Sequence, residues 1–215
     1  MIRHLALVLV LGLAVAAPAY AEPTTEAVYG EGEVYEADVE GRQVQYTTHQ
    51  QQGDELVLSS GAVVTSDAFL IFGAQPANRT FEPGNYRVVL TLTRDNTGDV
   101  LVAYARIELG GGTPVRWEPA TSFGAESGTA VFIDQDAVSH ASANYDPYGT
   151  AVLGALTDAV EHNEYWTSIV VDPDTGADAV IFTTGHGEGG YTTYWGFDEN
   201  NQPVALVADF NVLSP

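Results

Sequence analysis

From residue 55 onward, short apolar runs alternate with turn residues: Leu56-Val57-Leu58, Ala62-Val63-Val64 and Phe69-Leu70-Ile71-Phe72 are each bounded by Gly, Ser, Asp or Pro. Runs of this length and punctuation predict β-strands. Between Tyr86 and Leu109 the period is two, with Tyr86, Val88, Leu90 and Leu92 on one face and Leu101, Ala103, Ala105 and Ile107 on another. Asp95-Asn96-Thr97-Gly98-Asp99 supplies the turn of that hairpin and Glu82-Pro83-Gly84-Asn85 the turn before it. Further strands are expected at Val115–Trp117, Thr129–Ile133, Trp166–Asp172, Ala177–Thr183, Tyr191–Phe197 and Val204–Val212. One segment changes to helical spacing. Asp146 is placed to cap it and Pro147 to open it, after which Val152, Leu153, Leu156, Ala159 and Val160 recur up to Asn163. With about a third of its face apolar, this helix should pack on a sheet and leave Asp158, Glu161 and His162 in water. The expected fold is therefore mainly β, a β-rich α+β single domain of mostly antiparallel strands with one main helix.

The N-terminal third is patterned differently. Residues 22 to 41 hold seven acids and no base, yet Tyr35-Glu36-Ala37-Asp38-Val39-Glu40 alternates apolar and acidic. That alternation predicts an edge strand whose charges keep other chains from pairing with it. Residues 22–54 read either as such edge strands or as an acidic arm, with the β-rich domain over 55–215. Ahead of them, Arg3 and His4, the apolar run Leu5–Ala17 and the tripeptide Ala19-Tyr20-Ala21 have the layout of a signal peptide over 1–21, cut after Ala21. The run is shorter than the roughly 20 residues of a membrane span. A secreted or periplasmic protein is expected, with no membrane insertion after cleavage.

Charge narrows the partners. Seven arginines and no lysine stand against 29 acids, a net charge of −22. Such a surface repels nucleic-acid phosphates and anionic lipids, which excludes nucleic acid as a partner, and attracts cations and basic proteins. It fits solubility in a saline medium as well as recognition of one cationic partner. The chain has no cysteine, so neither a disulfide nor a lipoprotein anchor is possible, but 215 residues are enough to bury a core without them.

The densest motif is GHGEGGYTTYWGFDENNQPVALVADF at 185 to 210. Its glycines either present His186 and Glu188 at the rim of a sheet or form a turn in which Glu188 accepts hydrogen bonds from loop amides. In either case these glycines permit positive φ, and alanine at Gly187 or Gly189 would be costly if either residue takes it. The segment resembles the C-terminal signature of a bacterial domain-of-unknown-function family, DUF 4241, in which G-x-G-D-G-x-Y-x-x-Y-x-G is followed by a turn and a strand ending in Asp-Phe. SGAVVTSDA at 60 to 68, EPGNYRVVLTL at 82 to 92, AYARIEL at 103 to 109, VRWEPA at 115 to 120 and GTAVFID at 128 to 134 match the same family in order. Together they cover about residues 55 to 213. Glu188 and Glu126 stand where the family has Asp, a longer reach with the same charge. The resemblance gives Gly185, Gly187, Gly189, Gly196, Asp134 and Asp209 a structural role. It implies kinship rather than a reaction, because the family has no established activity.

Candidate chemistry is sparse. Asp134, Asp136, Glu188, Asp198 and Asp209 fall near predicted strand ends, and a hydrolase would need two of Asp134, Glu188 and Asp209 to meet as acid and base. Asp209 sits in an apolar strand, where a buried carboxylate needs a donor such as Arg87, Arg106, Tyr191 or a loop amide. Asp172-Pro173-Asp174-Thr175-Gly176-Ala177-Asp178 has the oxygens of a calcium loop, but Gly176 occupies the fifth position, so it reads as a hairpin turn. His49, His140, His162 and His186 form no His-Glu-x-x-His pair. Gly-x-Ser-x-Gly, phosphate loops and dinucleotide fingerprints do not occur. Trp166, Tyr191, Tyr194, Trp195 and Phe197 serve a core or a stacking platform, with Tyr191 and Trp195 on one face and Tyr194 on the other. These residues point to a non-catalytic binding or interaction domain with no cofactor and no metal. Its expected binding residues are His186, Glu188, Tyr191 and Trp195. Its partner is an unidentified protein or small ligand, cationic where the charge is put to use. The hydrolase is the alternative, and a calcium-stabilised exported domain the third.

Overall fold

A computed structural model describes residues 21–39 and 41–213; the expected leader, Ala21 apart, lies outside them. In chain order the elements are α1 (Thr25–Tyr29), β1 (Val34–Val39), β2 (Arg42–Leu58), β3 (Val63–Asp67), β4 (Gly84–Asp95), β5 (Val100–Glu108), β6 (Arg116–Ala125), β7 (Thr129–Asp134), α2 (Gln135–Ala143), α3 (Tyr145–Glu161), β8 (Trp166–Asp172), β9 (Ala177–Thr183), β10 (Gly189–Phe197) and β11 (Pro203–Asp209). They make a seven-stranded sheet, β1-β2-β4-β5-β11-β10-β6, and a four-stranded sheet, β3-β7-β9-β8. Every strand pairing is antiparallel, and the fold is mainly β as the apolar runs predict.

The small sheet is the middle of three layers. From β7 and β9, Ala130, Phe132, Val180 and Phe182 pack in one cluster with Leu90, Ala105, Ile107 and Leu206 of the large sheet. Their neighbours Val131, Ile133, Ala179 and Ile181 point the other way, onto Ala137, Val138 and Ala141 of α2 and Tyr148 and Val152 of α3. A strand covered on both faces reads as an unbroken apolar run, and all six residues of β7 are buried.

Several expectations need correction. Phe69–Phe72 is a loop, because the buried Asp67 carboxylate accepts the Phe69 N–H at 2.8 Å and its carbonyl accepts the Leu70 N–H at 3.2 Å, turning the chain out of β3. The last strand stops at Asp209 instead of Val212, since Asp209 accepts the Asn211 N–H at 2.8 Å and Asn211 takes φ 55°. The expected hairpin forms, with Val88 opposite Ile107 and Leu90 opposite Ala105, but a bulge after Thr91 shifts the phase so that Leu92 faces Val102. α2 is a second substantial helix beside the one expected. Within the large sheet, β2 pairs with β1 over Arg42–Thr47 and with β4 over Tyr46–Leu58.

The segment ahead of β1 is strapped across the outer face of the large sheet. Thr24 caps α1 by accepting the Ala27 N–H at 3.1 Å. The Val28 carbonyl accepts from the Thr91 hydroxyl at 2.7 Å and from the buried Arg106 guanidinium at 3.1 Å. That guanidinium lies 4.3 Å from the centre of the Tyr29 ring. Burial pushes the Tyr29 phenol up to about 12, against the opposing charge of Arg106. The folded value lies above the unfolded value of about 10, so the stability contributed by the neutral phenol is complete below pH ~10 and is lost as pH rises through the folded value. The melting temperature should therefore fall as the alkaline limb passes from ~10 towards ~12. Tyr29→Phe should flatten that fall when followed by circular dichroism, and an unchanged alkaline limb in Tyr29→Phe would disconnect the phenol from it.

Candidate functional site

The glycine motif is a crossover between sheets. β9 belongs to the small sheet and β10 to the large one, and Thr184 to Glu188 carry the chain between them. The Thr184 N–H donates to the Gly128 carbonyl and the Gly185 N–H to the Val102 carbonyl, both at 3.1 Å, which ties the crossover to the start of β7 and to β5. The Gly187 carbonyl accepts from the Thr184 hydroxyl at 2.7 Å and from the Tyr191 hydroxyl at 2.6 Å. Gly185 and Gly187 take φ 39° and 102°, whereas Gly189 opens β10 outside the positive-φ region. A Cβ on Gly185 would stand 2.7 Å from the Phe210 carbonyl oxygen. At Gly196 it would meet Pro114 at 2.7 Å and Trp117 at 2.8 Å, so this glycine lets two rings close over β10. His186 and Glu188 project from the crossover into solvent.

The aromatic platform is core. Tyr191 is buried beneath Phe210, with ring centroids 5.2 Å apart, and Trp195 is fully buried against Phe81 at 5.1 Å with its indole N–H donated to Asn78 at 2.6 Å. Neither ring offers a face to a ligand. Tyr194, on the opposite face of β10, is buried as well, and burial raises its pKa with Asp209 adding to the shift.

The candidate acids are distributed among separate structural tasks. Asp134 is fully buried at the start of α2, where Oδ1 accepts the Asp136 N–H at 2.9 Å and the Ser59 hydroxyl at 3.2 Å. Its Oδ2 accepts the Ser60 N–H at 3.0 Å and the Ser60 hydroxyl at 2.8 Å. One carboxylate thus caps a helix and latches the turn before β3. Asp209 takes a loop amide, that of Asn211, and Asn211 in turn donates to the Gly190 carbonyl at 3.3 Å. The other expected donors are engaged elsewhere: Tyr191 on Gly187, Arg106 on Val28 and Glu108, and Arg87 on Glu108. Asp198 organises the β10–β11 turn through the Asn200 and Gln202 amides. Asp134 ends β7 away from the crossover, at the opposite end from Thr129, which pairs with Thr183, whereas Asp209 ends β11 beside the crossover, with its carboxylate on the Asn211 amide and Glu188 turned to solvent.

The Asp172–Asp178 segment is a turn. Asp172 accepts the Asp174 N–H at 3.0 Å and the Thr175 hydroxyl at 2.8 Å, the Thr175 bond above all holding its pKa below the usual range. Asp178 points away from that turn, to the Val57 N–H at 2.8 Å, and burial raises its pKa. The histidines are scattered: His49 is 3.4 Å from Glu31, His140 is 3.7 Å from Asp172, and His162 Nδ1 is 2.7 Å from the Asp158 carbonyl oxygen. Among the described residues no group of three or more His, Cys, Asp or Glu is placed to hold a metal ion.

Among the described residues, two of the concavities bear on a receptor reading. A groove of about 470 Å³ runs past His186, with Arg42, Tyr46, Asp95 and Leu101 among its walls. Its Asp95 is already satisfied by the Thr97 hydroxyl and the Thr97 and Asp99 amides. The second is a pocket of about 270 Å³ between α2, α3 and β8, walled by Ala141, Pro147, Tyr148, Ala151, Ile169 and Val171, with His140 and Asn144 as its polar rim. Tyr148 is fixed by donating its hydroxyl to the Ala68 carbonyl at 2.9 Å.

The family model described as "Protein of unknown function (DUF4241)" matches residues 56–208. The chain belongs to this family. No curated protein and no solved structure matches it. The DUF4241 match runs from the last three residues of β2 to the penultimate residue of β11 and includes both helices that wall the pocket. The strap, β1 and most of β2 precede it.

The pocket is hidden in the DUF4241 sequence in part because His140 and Ala141 come from α2, which periodicity alone does not separate from the strand before it. The signal was present. Asp134 is an N-cap residue, and Ala137, Val138 and Ala141 follow at helical spacing. Beside Asp134 and Asp209, Asp67 is a third buried carboxylate, one the sequence reading does not single out, and it accepts the Ser127 N–H at 2.7 Å as well as that of Phe69.

Proposed function

We propose that this DUF4241 protein is an exported, non-catalytic binding domain whose receptor site is the pocket between α2, α3 and β8. The observation that carries the reading is the pocket's lining, apolar walls with a few polar groups at the rim, which is the usual composition of a small-molecule or side-chain site. At about 270 Å³ it suits a single apolar group better than a drug-sized ligand. Support against the hydrolase alternative comes from the candidate acids: Asp134 and Asp209 are engaged by protein donors in separate parts of the sandwich, and Glu188 stands in solvent. The leader composition of residues 1–21 supports export. The acidic surface supports solubility and favours cationic partners.

The test is an amide-detected NMR titration with N-acetyl-leucinamide, an uncharged probe. Saturable shifts are expected at Ala141, Ala151 and Ile169, with a Kd on the order of 1 mM for so small a ligand. Ala151→Phe, which fills the pocket from an exposed position, should abolish them. Shifts that never saturate, or that map to the groove beside His186, would remove the pocket assignment.

A further inference from the structure

We infer that the occupant of this pocket is an extended polypeptide segment that adds to the free edge of β8 as a further strand and places one apolar side chain between α2 and α3; the inference rests on the binding reading given above for the same pocket. The two sheets end in four outer strands, β1 and β6 on the large sheet and β3 and β8 on the small one. An outer strand presents unpaired backbone groups, and proteins blunt such edges with charge, proline or a covering segment. Three of the four are blunted. β1 exposes Glu36 and Asp38, and β6 carries Pro119 between charged Arg116 and Glu118 at one end and the rest of the strand. β3 is covered by the chain that follows it, through the Ala77 N–H to the Val63 carbonyl at 2.8 Å and the bridge from Val64 to Pro76.

β8 differs. Its start is tied to β2, where the Ser168 hydroxyl donates to Asp54. From Ile169 to Val171 it has no charge, no proline and no covering strand among the described residues; its one irregularity is a bulge at Val171 in the pairing with β9, and Val170 is 62% exposed. The pocket opens at these same three residues. In strand addition, main-chain hydrogen bonds supply affinity and pockets for alternate side chains supply selectivity. Side chains on an added strand alternate between two faces, so one set would face the helical layer. The pocket volume of about 270 Å³ matches one such side chain.

Charge decides the kind of segment. A second copy of this chain would bring a net charge of −22 against −22, and like charges in close approach oppose association. Asp172 and Asp174 follow the free stretch directly. The complementary partner is therefore a segment of another protein with an apolar residue flanked by basic ones.

The probe is the fluorescein-labelled peptide Arg-Thr-Leu-Thr-Val-Arg, amidated at its C-terminus and titrated with the mature protein by fluorescence anisotropy. Two further peptides carry backbone N-methyl groups on alternate residues, one in each phase. An added strand turns every second N–H towards its partner, so one phase should lose about tenfold or more in affinity and the other should bind like the parent. Ala151→Phe should weaken the parent peptide by a similar factor. Equal binding by both N-methylated peptides, or no binding of the parent by a protein that still takes N-acetyl-leucinamide, would overturn strand addition and leave the pocket reading in place. Failure of both probes would overturn the two together.

Discussion

Asp134→Ala should be among the most destabilising single substitutions in the molecule, at about 3–5 kcal/mol. Loss of a helix N-cap alone costs about 1 kcal/mol. Here the same carboxylate also accepts the Ser60 N–H and the Ser59 and Ser60 hydroxyls from a fully buried position, and each buried donor left without an acceptor adds about 1–3 kcal/mol. Asp134→Asn should fall between Ala and wild type. An amide has one oxygen, so it can hold the Asp136 N–H or the Ser60 N–H and must turn its NH2 towards the other. Denaturant unfolding reports the difference as a lowered midpoint with an unchanged slope. An Asp134→Asn protein as stable as wild type would contradict the latch, whatever its effect on any activity.

Gly185→Ala should cost about 2–5 kcal/mol, and the cost should be graded along the motif. Two penalties combine at Gly185: a φ of 39°, which a Cβ makes unfavourable by about 1 kcal/mol, and overlap with the Phe210 carbonyl oxygen at 2.7 Å and with Val212 at 2.9 Å, an overpacking worth about 1–3 kcal/mol. Gly187 has the backbone penalty alone, since φ is 102° and its Cβ would meet nothing within 4 Å. About 1–2 kcal/mol is expected there. Gly190 has neither, and Gly190→Ala should stay within about 0.5 kcal/mol of wild type. Thermal melts of the three alanine variants give the order directly, and a Gly187 or Gly190 variant less stable than Gly185→Ala would mean that the crossover is held some other way.

The sequence was legible where one physical signal dominated. The expected strands Trp166–Asp172 and Ala177–Thr183 match β8 and β9 to the residue, since each is a short run of β-branched and aromatic side chains with clear turn residues on either side. The apolar spacing identifies α3, but the helix begins at Tyr145 after Asn144 and so takes Asp146 and Pro147 into its first turn, where the sequence places the cap at Asp146. The failures have local causes. Phe69–Phe72 has the composition of a strand, but Asp67 makes a side-chain turn that apolar periodicity does not register. α2 is short and alanine-rich, so its apolar face is too faint to stand apart from β7. Alternation puts Tyr191 and Trp195 on one face but does not tell what covers that face, and in the structure both rings are buried. The pocket depends on residues from α2, α3 and β8, which only the assembled layers bring together.

Glu188→Gln is the most direct test that the glycine motif is architecture and that binding lies between α2, α3 and β8. Glu188 is exposed, and the bonds that hold the crossover come from Thr184, Gly185, Gly187 and Tyr191. Its melting temperature and its affinity for N-acetyl-leucinamide, measured beside wild type, should both be unchanged, the stability to within about 0.5 kcal/mol. A Glu188→Gln protein that melts like wild type but no longer binds the probe would put the receptor site at the crossover and contradict its assignment to the helix-walled pocket.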